Sequence, residues 1–342
     1  MLYPDLRVGG NPRFILADEP PNLMLIPDEV RKCVAYIGYR KPTGEMSLQG
    51  TAFFVGRPIE GTDKSFCYIV TAKHVIQGIG SKTPNGQVIL RVNFTDGNAY
   101  TISTELDKWH FHPEETEVDV AVYPHALLDN GADVSLIPFS MFLDEATKDI
   151  TEFGIGEDVY LTGLFHNHHG KKRNIPIVRM GNIVALPEEK VLTPMGFIDA
   201  YLVEARSIGG ISGSPVFVNF GTTRWIRDKF MTATNKYGSS YLLGIMHGHY
   251  KKDKVEDGSK IDEINLGIAI VVPVEKILEV INQPMIKEQE EKFEREILED
   301  VMPTLDSIDE DIDITQESFE DSLKKASRKL SLPEKETKET SE

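Results

Sequence analysis

The sequence predicts an all-β sandwich or barrel followed by a helical, acidic extension. Three observations carry this. Short apolar runs rich in Val, Ile, Phe and Tyr recur at 33–38, 51–55, 67–71, 88–94, 118–123, 159–164, 177–178, 183–186, 198–204, 214–218, 241–246 and 266–272. Such residues suit a pleated, half-buried surface. Turn signals such as Pro84-Asn85-Gly86 and Thr95-Asp96-Gly97-Asn98 separate the runs, a spacing that fits barrels and sandwiches better than βαβ units. The texture then changes at Pro273, where 274–281 takes up helical apolar spacing.

Taken in order, residues 1–30 form an irregular arm, with five prolines and Leu23-Met24-Leu25-Ile26 available to pack on the body. The twelve runs occupy 31–282, five within about 31–150 and seven within about 151–282. Residues 283–342 hold a second charged helix at 287–300, with Phe293, Ile297 and Leu298 on one side. An acidic, Ser/Thr-rich tail with a disorder signature follows, and a weak amphipathic helix is expected near 319–330.

Composition narrows the function. The 342 residues are 40% hydrophobic and 27% charged, ordinary for a soluble globular chain. No apolar stretch approaches the ~18 residues of a membrane span, and no signal peptide is expected. Net charge is −17, with 9 basic and 19 acidic residues from 284 to 342 giving −10 there and leaving −7 on the rest. Nucleic-acid binding needs a positive footprint, so neither nucleic acid nor membrane is expected as a partner. The acidic tail is a candidate regulatory docking segment. Cys33 and Cys67 sit in apolar runs and read as buried free thiols, which fits a reducing, cytoplasmic location.

Three segments carry chemistry. A β-run ends in Thr71-Ala72-Lys73-His74. An acidic pair, Glu117 and Asp119, opens the apolar run Val118-Asp119-Val120-Ala121-Val122. A serine sits in the glycine-rich bend Gly209-Gly210-Ile211-Ser212-Gly213-Ser214-Pro215. A serine hydroxyl is a weak nucleophile until a base accepts its proton. Neutral imidazole suits that task near neutral pH, and a buried carboxylate fixes its tautomer. Glycines beside the serine allow backbone N–H groups to converge on an oxyanion.

At these residues the chain resembles the trypsin/chymotrypsin-like serine peptidases, closest to short bacterial disulfide-poor members. Thr71-Ala72-Lys73-His74 is similar to the family's Thr-Ala-Ala-His. Gly210-Ile211-Ser212-Gly213-Ser214-Pro215 is similar to its Gly-Asp-Ser-Gly-Gly-Pro box. Gly50-Thr51-Ala52-Phe53-Phe54-Val55 resembles the strand before the histidine, and Leu243-Gly244-Ile245-Met246-His247-Gly248 the late strand lining the cleft. The resemblance spans 31–282 and implies two six-stranded antiparallel β-barrels with the active site between them.

It further implies His74 as general base, Asp119 as its orienter and Ser212 as nucleophile. The Gly210 and Ser212 N–H groups become the oxyanion hole. Arg206, His247 and His249 become substrate-binding residues, with Arg206 at the base of the primary pocket favouring an acidic side chain unless Glu204 neutralises it. Glu117 and Ser214 are the competing acid and nucleophile. Ile211 stands where the family has an acid that pairs with a new N-terminus, so that activation switch has no anion here. His166-Asn167-His168-His169 and His247-Gly248-His249 have spacings that a metal accepts, but a solvated loop and cleft groups are expected instead, with no metal and no cofactor. The expected function is serine endopeptidase acting on a protein or peptide substrate. The rival is a catalytically inactive peptidase-fold interaction module, since a fold does not guarantee function. A third possibility is an esterase using the same triad.

Overall fold

The computed structural model describes residues 3–4, 14–15, 26–62, 64–125, 131–205, 210–221, 223–227, 229–232, 240–251 and 265–301. Two compact units divide the chain, 1–291 and 292–342.

After a short helix α1 (Asp28–Lys32), seven strands build the first half: β1 (Val34–Arg40), β2 (Met46–Pro58), β3 (Ser65–Thr71), β4 (Gln87–Asn93), β5 (Ala99–Glu105), β6 (His110–Phe111) and β7 (Ala121–His125). They pair in the order β5-β4-β1-β2-β3-β7-β6, and Ile137–Pro138 adds an eighth, parallel to β2. The sheet wraps one core. Leu90 of β4 and Ala121 of β7 meet in the same cluster as Ile37, Phe54 and Ile69. Helix α2 (Lys73–Gly80) closes that core by burying Val75, Ile76 and Ile79.

The second half is a closed six-stranded antiparallel barrel. Its strands are β8 (Asp158–Gly163), β9 (Ile177–Ala185), β10 (Tyr201–Glu204), β11 (Pro215–Asn219), β12 (Ser240–Lys251) and β13 (Asn265–Pro273). They run β8-β9-β10-β13-β12-β11 and back to β8. Leu161, Val203, Val216, Leu243 and Val271 fill it. Helix α3 (Glu145–Thr151) lies between the halves in sequence, capped by the Asp144 carboxylate accepting Thr147 N–H at 2.8 Å. The chymotrypsin-like double-barrel class therefore holds, with two short extra strands in the first half.

Helix α4 (Val274–Ile281) follows β13 directly, and α5 (Pro284–Val301) starts three residues before the sequence suggests. Its first turns belong to the first unit: Ile286 is fully buried and Glu290 pairs with Arg57 at 2.6 Å. No described helix is long and apolar enough to cross a membrane. The arm segment 23–25, the expected helix near 319–330 and the acidic tail beyond 301 lie outside the described residues.

Both cysteines are free and buried. Burial pushes the Cys67 thiol up to about 12 and raises Cys33 further still. Since the thiolate is the reactive form, iodoacetamide should leave both unmodified in the native protein and label both in denaturant, read by intact mass. Labelling of either in the native state would show that its pocket opens.

Candidate active site

His74 owes its position to a sharp change of element. Strand β3 ends at Thr71, and α2 begins two residues later because Val75, Ile76 and Ile79 present one apolar face to the core. This leaves His74 in the first helical turn, where backbone N–H groups lack intrahelical acceptors. Asp119 supplies one: its Oδ1 accepts the His74 N–H at 2.8 Å, while its Oδ2 lies 2.6 Å from His74 Nδ1. Two bonds from one carboxylate thus fix both the backbone and the ring.

Asp119 is fully buried and sits in the irregular stretch just before β7, not on the strand. That stretch is pinned from several sides. Lys73 Nζ donates to Thr116 O at 2.6 Å, and Glu115 N–H donates to His112 Nδ1 at 2.9 Å. The rival acid is elsewhere: the Glu117 side chain packs on Gly196, so Asp119 alone meets His74.

The Ser212 turn is held by backbone bonds reaching into both halves. Thr51 N–H donates to Ser212 O at 3.0 Å, Gly213 N–H to Met246 O at 2.9 Å, and Ser214 N–H to Ile211 O at 3.0 Å. The Thr51 hydroxyl adds a bond to Gly210 O at 3.0 Å and accepts Leu164 N–H at 2.8 Å. Ile211 is buried in the core of the second barrel. An apolar anchor thus stands immediately before Ser212, and it needs no cation. Ser214 is fully buried, and its Oγ has no hydrogen-bond partner among the described residues, which leaves Ser212 as the accessible hydroxyl.

Glycine is required at two points of this turn. Gly210 has φ +101° and Gly213 φ +83°. A Cβ on Gly213 would lie 2.2 Å from Thr51 O and 2.3 Å from Thr71 Oγ1. Gly213→Ala should therefore cost at least ~2 kcal/mol from overpacking and strain together and displace the Ser212 turn. Urea denaturation alongside an activity assay checks this, and an unchanged midpoint would contradict it. Among the described residues neither the Gly210 nor the Ser212 N–H has an acceptor, the condition an oxyanion hole requires.

His247, expected on the substrate side of the cleft, faces Asp119. It is 7% exposed, and its Nδ1 lies 2.5 Å from the same Asp119 Oδ2 that takes His74. Its carbonyl accepts the Ser212 hydroxyl at 3.3 Å. The His74 and His247 rings cross edge to face with centroids 5.5 Å apart. His249 lies two residues along β12, half-buried, opposite Ala269. Arg206 and its pocket fall outside the described residues. His166 was expected only as part of a solvated loop, yet its ring edge lies against Gly210, and burial with His169 nearby lowers its pKa.

Burial pushes the Asp119 carboxyl up, but the hydrogen bonds from His247 and His74 outweigh it and hold the group well below the ordinary carboxylate range. The His74–Asp119–His247 trio also has the residue types of a metal site. Its spacing fits protons instead. Zinc bonds of ~2.0–2.1 Å keep ligand atoms roughly 3.3 Å apart, whereas the two nitrogens lie 2.6 and 2.5 Å from one oxygen. The second such trio, His112, Glu115 and Glu279, already holds a cation, because Lys276 Nζ contacts both carboxylates.

No family model and no curated protein matches the chain. Among solved structures it is similar to the MamO protease domain from Magnetospirillum magneticum, at 15% identity and TM-score 0.42, over 75% of this chain and 98% of that one. It is also similar to an inactive form of the Rv3671c protease, at 14% identity and TM-score 0.40, over 78% and 98%. A second inactive form, of Rv3671c from M. tuberculosis H37Rv, matches at 16% identity and TM-score 0.40, over 78% and 96%.

Proposed function

We propose that the chain is a trypsin/chymotrypsin-like serine endopeptidase. The observation that carries this is the two-point grip of buried Asp119 on His74, with Nδ1 at 2.6 Å and the backbone N–H at 2.8 Å. That grip puts the hydrogen on Nδ1 and leaves Nε2 as the base. The Ser212 hydroxyl rotates from the His247 carbonyl to His74 Nε2, gives up its proton there and attacks the scissile carbonyl carbon. The oxyanion is received by the Gly210 and Ser212 N–H groups. Collapse breaks the C–N bond, and the His74 proton leaves with the amine. Water then repeats the sequence on the acyl-enzyme, with His74 again as base. These steps need no cofactor.

The inactive-module reading keeps one observation of its own: the Ser212 hydroxyl donates to the His247 carbonyl and not to His74. A fluorophosphonate probe separates the two. Labelling at Ser212, lost in Ser212→Ala and His74→Ala, supports the peptidase. A folded wild-type chain that takes no label leaves the interaction module. Turnover of small esters without any peptide would favour an esterase.

A further inference from the structure

We infer that His247 is a positioning residue for the reaction, holding Asp119 through its ring and Ser212 through its carbonyl. This rests on the serine-peptidase reading. The geometry originates in the backbone. Along β12 and β13, Met246 pairs with Val271 and Gly248 with Ile270, so His247 is the residue the register skips. A bulge of this kind re-aims a side chain out of the strand's alternation. Here it lets one residue turn its ring to Asp119 Oδ2 and its carbonyl to the Ser212 hydroxyl.

A carboxylate accepts and does not donate. Both nitrogens at Asp119 Oδ2 therefore carry hydrogen, and both rings are fixed as Nδ1–H donors. For His74 that is the tautomer catalysis needs. For His247 the bond has another consequence. Asp119 has no exposure, so without His247 its carboxylate would, among the described residues, be bonded by His74 alone and could swing with the residue it is meant to orient. With His247 in place it is held by a strand of the second half while it holds a helix of the first. The same residue sets where the nucleophile rests, since its carbonyl accepts a hydrogen bond from the Ser212 hydroxyl until the serine rotates toward His74.

The test uses the full chain with His247→Asn and His247→Leu. The asparagine Nδ2 can stand where imidazole Nδ1 stands, keeping the N–H donor and removing the rest of the ring. Leucine keeps bulk and removes the donor. In the wild type, proton NMR should show two strongly downfield imidazole N–H resonances. His247→Asn should keep one, and His74→Ala should remove it from that background. Fluorophosphonate labelling should stay within about tenfold of wild type in His247→Asn. It should fall on the order of 10² in His247→Leu, the scale of a displaced catalytic group. With a peptide substrate the leucine loss should fall on kcat with KM unchanged. Wild-type labelling in His247→Leu overturns the inference, as does equal impairment of both variants or a loss confined to KM. If the leucine variant does not fold, the resonance count and the asparagine rate still decide. A wild-type chain that takes no label defeats the peptidase reading itself, an outcome separate from any of these.

Discussion

Ser212→Ala should lose peptide turnover by on the order of 10⁶ in kcat while keeping its fold. The two halves of this expectation have separate causes. Turnover goes because in the proposed mechanism Ser212 supplies the oxygen that attacks. The fold stays because the turn is held by main-chain bonds from Thr51, Gly213 and Ser214 that do not involve the side chain. Among the described residues the hydroxyl itself makes a single, long bond of 3.3 Å to the His247 carbonyl. Its removal should shift stability by under ~0.5 kcal/mol. Ser214→Ala is the matched control: its hydroxyl is buried, so that variant should remain active. Peptidase activity in purified Ser212→Ala, with thermal melting unchanged, would remove Ser212 as nucleophile. Activity lost in Ser214→Ala instead would exchange the two.

What the sequence made legible depends on the range over which each signal acts. His74 and Ser212 lie in local motifs whose neighbours dictate the backbone: a β-run ending in a helical turn, and glycines on either side of a serine. Asp119 was separable from Glu117 only through the resemblance. The segment before β7 is irregular, so no periodicity says which of two nearby carboxylates turns inward. The structure decides by burying Asp119 and seating Glu117 against Gly196. Strand β5 was missed because its residues Ala99–Glu105 are largely exposed and rich in Thr and Ser, leaving no apolar run to find. The runs at 177–178 and 183–186 proved to be one strand, β9, joined through Arg179-Met180-Gly181-Asn182.

His247 shows a harder limit. Strand alternation assigns every second residue to one face, and a one-residue bulge breaks that assignment without any mark in the sequence. The resemblance placed His247 on the substrate side of the cleft. The bulge turns it onto Asp119, where it becomes the second donor to the carboxylate. Thr51 was legible as part of a motif but not in its role. Its hydroxyl joins Gly210 to Leu164, and its carbonyl accepts the Thr71 hydroxyl at 2.7 Å. The contacts with Gly210 and Leu164 exist only after both halves have folded.

Asp119→Asn should reduce turnover by ~10⁴, the loss expected when the catalytic imidazole is held in the wrong tautomer. The geometry leaves the amide no good orientation. With its oxygen at the Oδ1 position it accepts the His74 N–H, but its NH₂ then faces two Nδ1–H donors. Both rings must shift their hydrogen to Nε2, and His74 can no longer act as base. With its oxygen at Oδ2 the NH₂ opposes the His74 backbone N–H. The first arrangement satisfies the amide only by giving up the catalytic tautomer, and the second sets buried donors against each other, at a cost of about 1–3 kcal/mol. The pH dependence has a definite sign. The Asp119 carboxyl is held below its unfolded value, so its stabilisation is fully present above ~3.9 and disappears as pH falls below that. The stability gap between wild type and Asp119→Asn in urea should therefore be widest near neutrality and narrow below pH ~3.9. Glu117→Gln, altering a side chain that packs on Gly196, should remain close to wild type in both assays. If Glu117→Gln is the inactive variant and Asp119→Asn turns over normally, the acid of the site has been misassigned.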